Sequence, residues 1–198
     1  MVGQNRAVKR IGLVIVGFAA IVVLTVVLEF FMGRTLFGPS GQFGWWCGDI
    51  WSNENSQRLV DPYTLSHLGH GILFFGLLWL IARKMPLPSR FLIATLLEAG
   101  WEVLENSPII INRYRAVTIS LGYNGDSILN SCSDIVAMAL AFCFAARVPW
   151  KVSALVFVAL ELIALFWIRD NLILNIIMLI HPFSAIKTWQ MGAAPAGI

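Results

Sequence analysis

The segment from Ile11 to Met32 is interrupted only by Thr25 and Glu29. A helix needs about 20 apolar residues to cross the roughly 30 Å hydrocarbon core of a bilayer, and this run supplies them. Further apolar runs follow at Phe91 to Leu97, Ile135 to Ala146 and Val152 to Ile168, with Glu161 the one charge among them. With 58% hydrophobic and 13% charged residues and a mean hydropathy of +0.77, the chain is too apolar for an ordinary water-soluble core. Its 198 residues suit one domain. The expected fold is therefore all-α, a polytopic transmembrane bundle of five or six spans near 11–32, 64–82, 91–106, 126–146 and 150–168, with a short segment 172–189 that either crosses or re-enters. The third span is short for a bilayer and is expected to end in a polar cavity.

Basic residues fix the orientation. Arg6, Lys9 and Arg10 precede the first run as they would in a signal peptide, but the run is too long and lacks a small-x-small cleavage site, so it reads as an uncleaved span. With the N-terminus inside, Arg83, Lys84, Arg90, Arg147 and Lys151 join those three on the cytoplasmic side, against Arg34, Arg58, Arg113, Arg115 and Arg169 outside. In a bacterial inner membrane the loops 33–63 and 107–125 and the turn 169–171 then face the periplasm. The net charge of +3 is accounted for by this flanking pattern, which leaves no nucleic-acid patch. Cys47 in a loop and Cys132 and Cys143 in apolar stretches offer neither a disulfide framework nor a thiolate metal site.

The polar residues are the exceptions to be explained. In "GDSILNSCSD" Asp126, Asn130 and Asp134 recur at i, i+4 and i+8 and form one stripe on a helix, about 12 Å long. In "EAGWEVLEN" Glu98, Glu102 and Glu105 form a second stripe, on a helix running the opposite way, so that the two meet level by level. "SHLGHG" adds His67 and His70 one turn apart. Arg113, Arg115, Arg169, Asp170 and Asn171, with Asn175, lie toward the same outer side. Each ionisable group costs at least about 2.5 kcal/mol to place at the bilayer centre, so the stripes must face one another, a cation or water. His67, His70 and Asp126 are candidate ligands for a divalent metal such as zinc, with Glu102 or Glu105 as general base. Arg113 and Arg115 are candidates for a lipid phosphate, with Glu98, Asn130, Asp134, Arg169, Asp170 and Asn171 completing a ligand site.

Plainer readings stand beside these. Asp126 can cap its helix, the histidines can simply hydrogen-bond the carboxylates, and the arginines can be solvated or can anchor headgroups. Glu29 and Glu161 read as packing or topology residues, and Trp45, Trp46 and Trp51 as an interfacial aromatic belt. The polar stretch 51–67 is either a solvated loop or a lid with Glu54 and Gln57 facing inward.

"WSNENSQ", "YTLSHLGHGILFFG", "WEVLENSPIIINRYRAVTISLGYNGDSILNSCSD" and "IRDNLILNIIMLIHPFSAIKTWQ" resemble an uncharacterised family of small multi-pass inner-membrane proteins of alphaproteobacteria, over roughly residues 45 to 190. That resemblance implies a membrane location. A more remote one is to the VanZ-like membrane proteins, and it would align His67 or His70, Glu102 or Glu105, Arg113 or Arg115, and Asp126 with Asn130. The Glu-x-x-Gln pair of that family is missing, and Asp134 stands where it tends to have glycine. It implies an envelope lipid or lipid-linked precursor as ligand. Three functions follow: a periplasm-facing cavity that binds a lipid headgroup, a metal-dependent hydrolase or transferase acting on a lipid, and a proton- or ion-coupled carrier.

Overall fold

The computed structural model describes residues 2–192, without the side chains of 2–8 and 10, so Arg6 and Arg10 of the orientation argument lie outside the described side chains. Eight helices are found among the described residues: α1 (Val2–Phe31), α2 (Thr64–Ile81), α3 (Leu87–Glu105), α4 (Pro108–Val117), α5 (Ile128–Ala145), α6 (Trp150–Ile168), α7 (Leu172–Ile180) and α8 (Ser184–Met191). Four stretches are long and apolar enough to cross a membrane: Ile11–Phe31, Thr64–Ile81, Ile128–Ala145 and Trp150–Ile168. The protein is an integral membrane protein, and α3, with 19 residues, matches the others in length while carrying Arg90, Glu98, Glu102 and Glu105.

Helix ends follow local chemistry. Gly33, at φ +83°, closes α1: its N–H donates to Phe30 O and that of Arg34 to Glu29 O, the paired bonds of a left-handed C-terminal turn. Ser107 and Pro108 start a helix where the sequence reading puts only a loop; Ser107 Oγ accepts from Ile110 N, and proline fits the first turn because it has no N–H to satisfy. The last segment is not one unbroken helix: Pro182 falls between α7 and α8, each too short to span alone. Ser127, not Asp126, caps α5, accepting from Asn130 N at 3.2 Å. The next free donors of α5, the N–H groups of Ile128 and Leu129, bond Thr35 O and Leu36 O, which docks the 33–63 loop on the helix.

The bundle has two storeys. Away from the loop-covered end, Leu78, Ala94, Met138, Ala139 and Phe142 form an apolar core, with Phe18, Phe74, Phe75 and Phe91 around it. α6 packs on its side, with Phe157 and Leu160 against Ile72, Ala141 and Ala145. Toward the end where α2 and α5 begin and α3 stops, the interior becomes polar: Glu98, Glu102, Asn106, Asn130 and Asp134 are all buried.

Candidate functional site

α2 places His67 and His70 against α3, where a single carboxylate receives both. His67 Nδ1 lies 2.6 Å from Glu98 Oε1, and His70 Nδ1 lies 2.9 Å from Glu98 Oε2. His67 Nδ1 is also 3.3 Å from Glu102 Oε1, and its Nε2 faces Asp134 Oδ2 of α5 at 3.7 Å. Thr64, one turn before His67, donates its hydroxyl to Asp134 Oδ1 at 3.1 Å. Glu98 and Glu102 are wholly buried, and neither oxygen of Glu102 has a hydrogen-bond partner. Glu98 and Glu102 of one expected stripe and Asp134 of the other come together with the histidine pair.

A cavity of about 180 Å³ opens beside this cluster. That is below the roughly 300–1,000 Å³ of a drug-sized pocket and suits a small polar group. His67, His70, Glu105, Asp126, Asn130 and Asp134 make its polar side, and Leu172, Ile176 and Leu179 of α7 its apolar side. All three tyrosines of the chain, Tyr63, Tyr114 and Tyr123, line it. A second cavity, of about 520 Å³, lies between the loops and shares Asn55, Ser120, Tyr123 and Asp126 with the first.

Several residues fall in other roles than the sequence assigns. Asp126 does not join the histidines; Glu98 does. Asp126 precedes α5, so it is not a helical continuation of Asn130 and Asp134; its side chain accepts from the Tyr123 hydroxyl at 3.0 Å and its N–H donates to Asn106 Oδ1. Arg113 donates to the carbonyls of Leu179 and Ile180 at the end of α7, and Arg115 to the Tyr123 carbonyl and the Asn124 side chain, so neither pairs with a carboxylate. Asn130 donates to Arg58 O and is a loop clamp. Arg169 terminates α6 in a left-handed conformation at φ +53° and donates to Trp189 O. Asp170 accepts from Gln190 and Tyr63, and Asn171 caps α7 by accepting from Leu174 N. Glu105, unlike the fully buried Glu102, lines the cavity.

The loop 51–63 lies over the cavity, but Asn55 and Ser56 line it. Glu54 instead pairs with Arg58 at 3.0 Å, and Gln57 donates to Gly125 O. Trp45 and Trp46 are exposed and Trp46 stacks on Trp167 at 5.5 Å, whereas Trp51 of the same expected belt lines the second cavity. Glu29 is packed against Asn106, and Glu161 turns out to cap a helix.

Sequence reasoning missed Asp61, Thr64 and the tyrosines. Asp61 accepts from the N–H groups of Ser56 and Tyr63, which folds the loop back onto the first turn of α2. Thr64 carried a signal, since it sits three residues before His67 and shares its helix face. The tyrosines come from three separate elements and share no local pattern.

Outside the spans, burial dominates the acids. It pushes the Asp126 carboxyl up to about 7, aided by the charge of Asp61, and raises Asp61 itself. Burial also raises Asp170 to about 6, against hydrogen bonds that lower it. With so many acids together, full ionisation is unfavourable unless a cation or protons balance it. His67, His70 and Glu98 offer donor atoms within 4.8 Å of one another, close enough to share a metal ion.

A family model described as a protein of unknown function, DUF2585, matches residues 29–192. A UPF0314 protein of Rhizobium etli is 49% identical over 173 residues, covering 87% of this chain and 89% of its own. One from Rhizobium meliloti is 43% identical over 189 residues, covering 96% of each chain. One from Sphingopyxis alaskensis is 47% identical over 176 residues, covering 88% and 93%. No solved structure matches the chain significantly.

Proposed function

Because the chain belongs to the DUF2585 family, described only as of unknown function, its role has to come from its own cavity, and we propose that it binds the hydroxyl- or amine-bearing headgroup of an envelope lipid at the periplasmic side of the inner membrane. The observation that carries this reading is the two-faced cavity: acids, histidines and tyrosines on one side and the apolar residues of α7 on the other. Such a pairing suits a molecule whose polar group and hydrocarbon meet at that depth. The carboxylates and tyrosines favour a ligand that donates hydrogen bonds. Arg113 and Arg115 are engaged with backbone and Asn124, so recognition rests on the acids rather than on a phosphate clamp. The excess of Lys and Arg beside the opposite helix ends supports the periplasmic assignment.

The test is thermal stabilisation of detergent-purified protein by lipids differing only in headgroup. Aminated and glycosylated headgroups are expected to raise Tm by a few degrees more than an unsubstituted phosphate headgroup, as binding to the folded state alone requires. Tyr114→Phe should reduce that difference. Equal shifts for every headgroup would remove the reading. Hydrolysis of the bound lipid is a second reading, favoured by Glu102, whose unpartnered oxygens beside His67 can accept a proton from water. Release of a water-soluble headgroup by wild type and its loss in Glu102→Gln would support it; no release by wild type would exclude it.

A further inference from the structure

We infer that His67, His70 and Glu98 bind one divalent ion of the zinc type at the floor of the cavity. Both histidines turn Nδ1 toward the same carboxylate, and the three donor atoms already lie within 4.8 Å of one another. Around an ion held at about 2.0–2.2 Å, tetrahedral ligand atoms stand roughly 3.4 Å apart. The Glu98 oxygens therefore need to draw back by less than about 1 Å from the 2.6 and 2.9 Å contacts. Two imidazoles with a carboxylate suit zinc, and manganese or iron less selectively.

Two further observations point to an ion rather than to a plain ion pair. Asp134 stands behind His67, 3.7 Å from Nε2, and is itself held by the Thr64 hydroxyl. At that separation no hydrogen bond is made, but Asp134 stands where a carboxylate can take the Nε2–H of His67 once Nδ1 binds an ion. Glu102, wholly buried with both oxygens unpartnered, lies 3.3 Å from His67 Nδ1, where it can supply a fourth ligand or hold a water on the ion. A histidine pair saturated by Glu98 alone leaves that carboxylate unsatisfied. The charge balance agrees: His67 and His70 are the basic side chains lining the cavity among the described residues, against Glu105, Asp126 and Asp134 in its wall and Glu98 and Glu102 behind it. With His67, His70 and Glu98 as three ligands, one position is left for Glu102, for a water or for the bound hydroxyl or amine, and through the last of these the inference deepens the headgroup reading. The ion site itself does not need the lipid.

The experiment uses the full chain purified in detergent, stripped with EDTA, reloaded with Zn²⁺ and desalted. Elemental analysis is expected to find about one zinc per chain in wild type and in His181→Ala, which removes the remaining histidine of the chain, and about tenfold less in a His67→Ala, His70→Ala variant. Asp134→Asn should weaken zinc affinity about tenfold without removing the ligands. Should the double variant not fold, Co²⁺ loaded into wild type provides the check, through visible bands of a tetrahedral nitrogen and oxygen site. Zinc near zero in reloaded wild type, equal zinc in the double variant and His181→Ala, or octahedral aqueous-like Co²⁺ overturns the inference. Zinc binding with no headgroup preference in the lipid panel would retain the ion site and remove the headgroup reading. A headgroup preference without zinc would do the reverse.

Discussion

At the scale of single residues, Asp126 shows how burial turns a loop acid into a pH-sensitive one. Its side chain is enclosed by the cavity wall, and removal from water together with the charge of Asp61 raises it from an ordinary 3.8 to about 7. An acid whose folded pKa is raised holds its proton more tightly in the folded protein. Its contribution to stability is thus fully present below 3.8 and is lost as pH rises through about 7. Asp126→Asn keeps an acceptor for the Tyr123 hydroxyl and removes the titration. Its melting temperature is expected to fall less than that of wild type between pH 4 and pH 7, and parallel curves would assign the pH dependence to other groups. The sequence made the acids, His67 and His70 legible because helical spacing determines which of them share a face. It did not disclose what Arg113, Arg115 and Arg169 do, because they bond backbone carbonyls whose positions depend on the folded chain.

At the scale of elements, the packing of α2 on α5 depends on Gly71. A Cβ there would collide with the backbone of Met138 and Phe142 as well as with the Ala141 side chain, and backbone cannot step aside as a side chain can. Gly71→Ala is expected to cost about 1–3 kcal/mol as an overpacked core. Gly76→Ala, in the same helix but with open space at its Cβ, should be neutral or up to about 1 kcal/mol stabilising. Reversible unfolding in mixed micelles distinguishes them, and equal effects would show that the contact accommodates a methyl group. The apolar wall of the cavity depends on a different device. Glu161, inside α6, accepts the N–H groups of Leu172 and Ile173 at 3.2 and 3.1 Å, satisfying two donors at the start of α7. Glu161→Ala should cost about 1–2 kcal/mol, as loss of a helix cap does, and should increase hydrogen exchange in α7 before it does in α5. Uniform exchange along the chain would contradict that role. An isolated glutamate in an apolar run says nothing of partners eleven and twelve residues on, which is why Glu161 reads from sequence as a packing or topology residue. α4, by contrast, carries a local signal in Ser107 and Pro108, a cap followed by a first-turn proline, set within a loop of otherwise mixed composition.

At the scale of the whole molecule, the apolar lower storey is what makes the polar upper storey tenable. Leu78, Met138 and Phe142 close the interior below the histidines, so the charges communicate with one end of the bundle only. This argues against a continuous relay across the membrane, because a carrier needs polar groups on both sides of its site. The spans and the meeting of the stripes were legible because apolar length and helical period are properties of sequence alone. The fate of the last segment was not, since Pro182 is compatible with a kinked span as well as with two short helices. The structure resolves this with α7 and α8, about 14 and 12 Å long at 1.5 Å per residue. Neither reaches across a core of about 30 Å. Counting α3 with the four apolar spans gives five crossings, which puts α8 on the same side as the 33–63 loop and opposite the turn at Lys84. Cys47 sits in that loop, so in a Cys132→Ala, Cys143→Ala background a membrane-impermeant maleimide should label it in intact spheroplasts. A cysteine introduced as Thr188→Cys, made with Cys47→Ser, should react there too, whereas Lys84→Cys in the same background should react only after permeabilisation. Labelling of Thr188→Cys only after permeabilisation, as for Lys84→Cys, would mean that the last segment crosses after all, which would make α7 and α8 together a sixth span and take away the short apolar wall of the cavity.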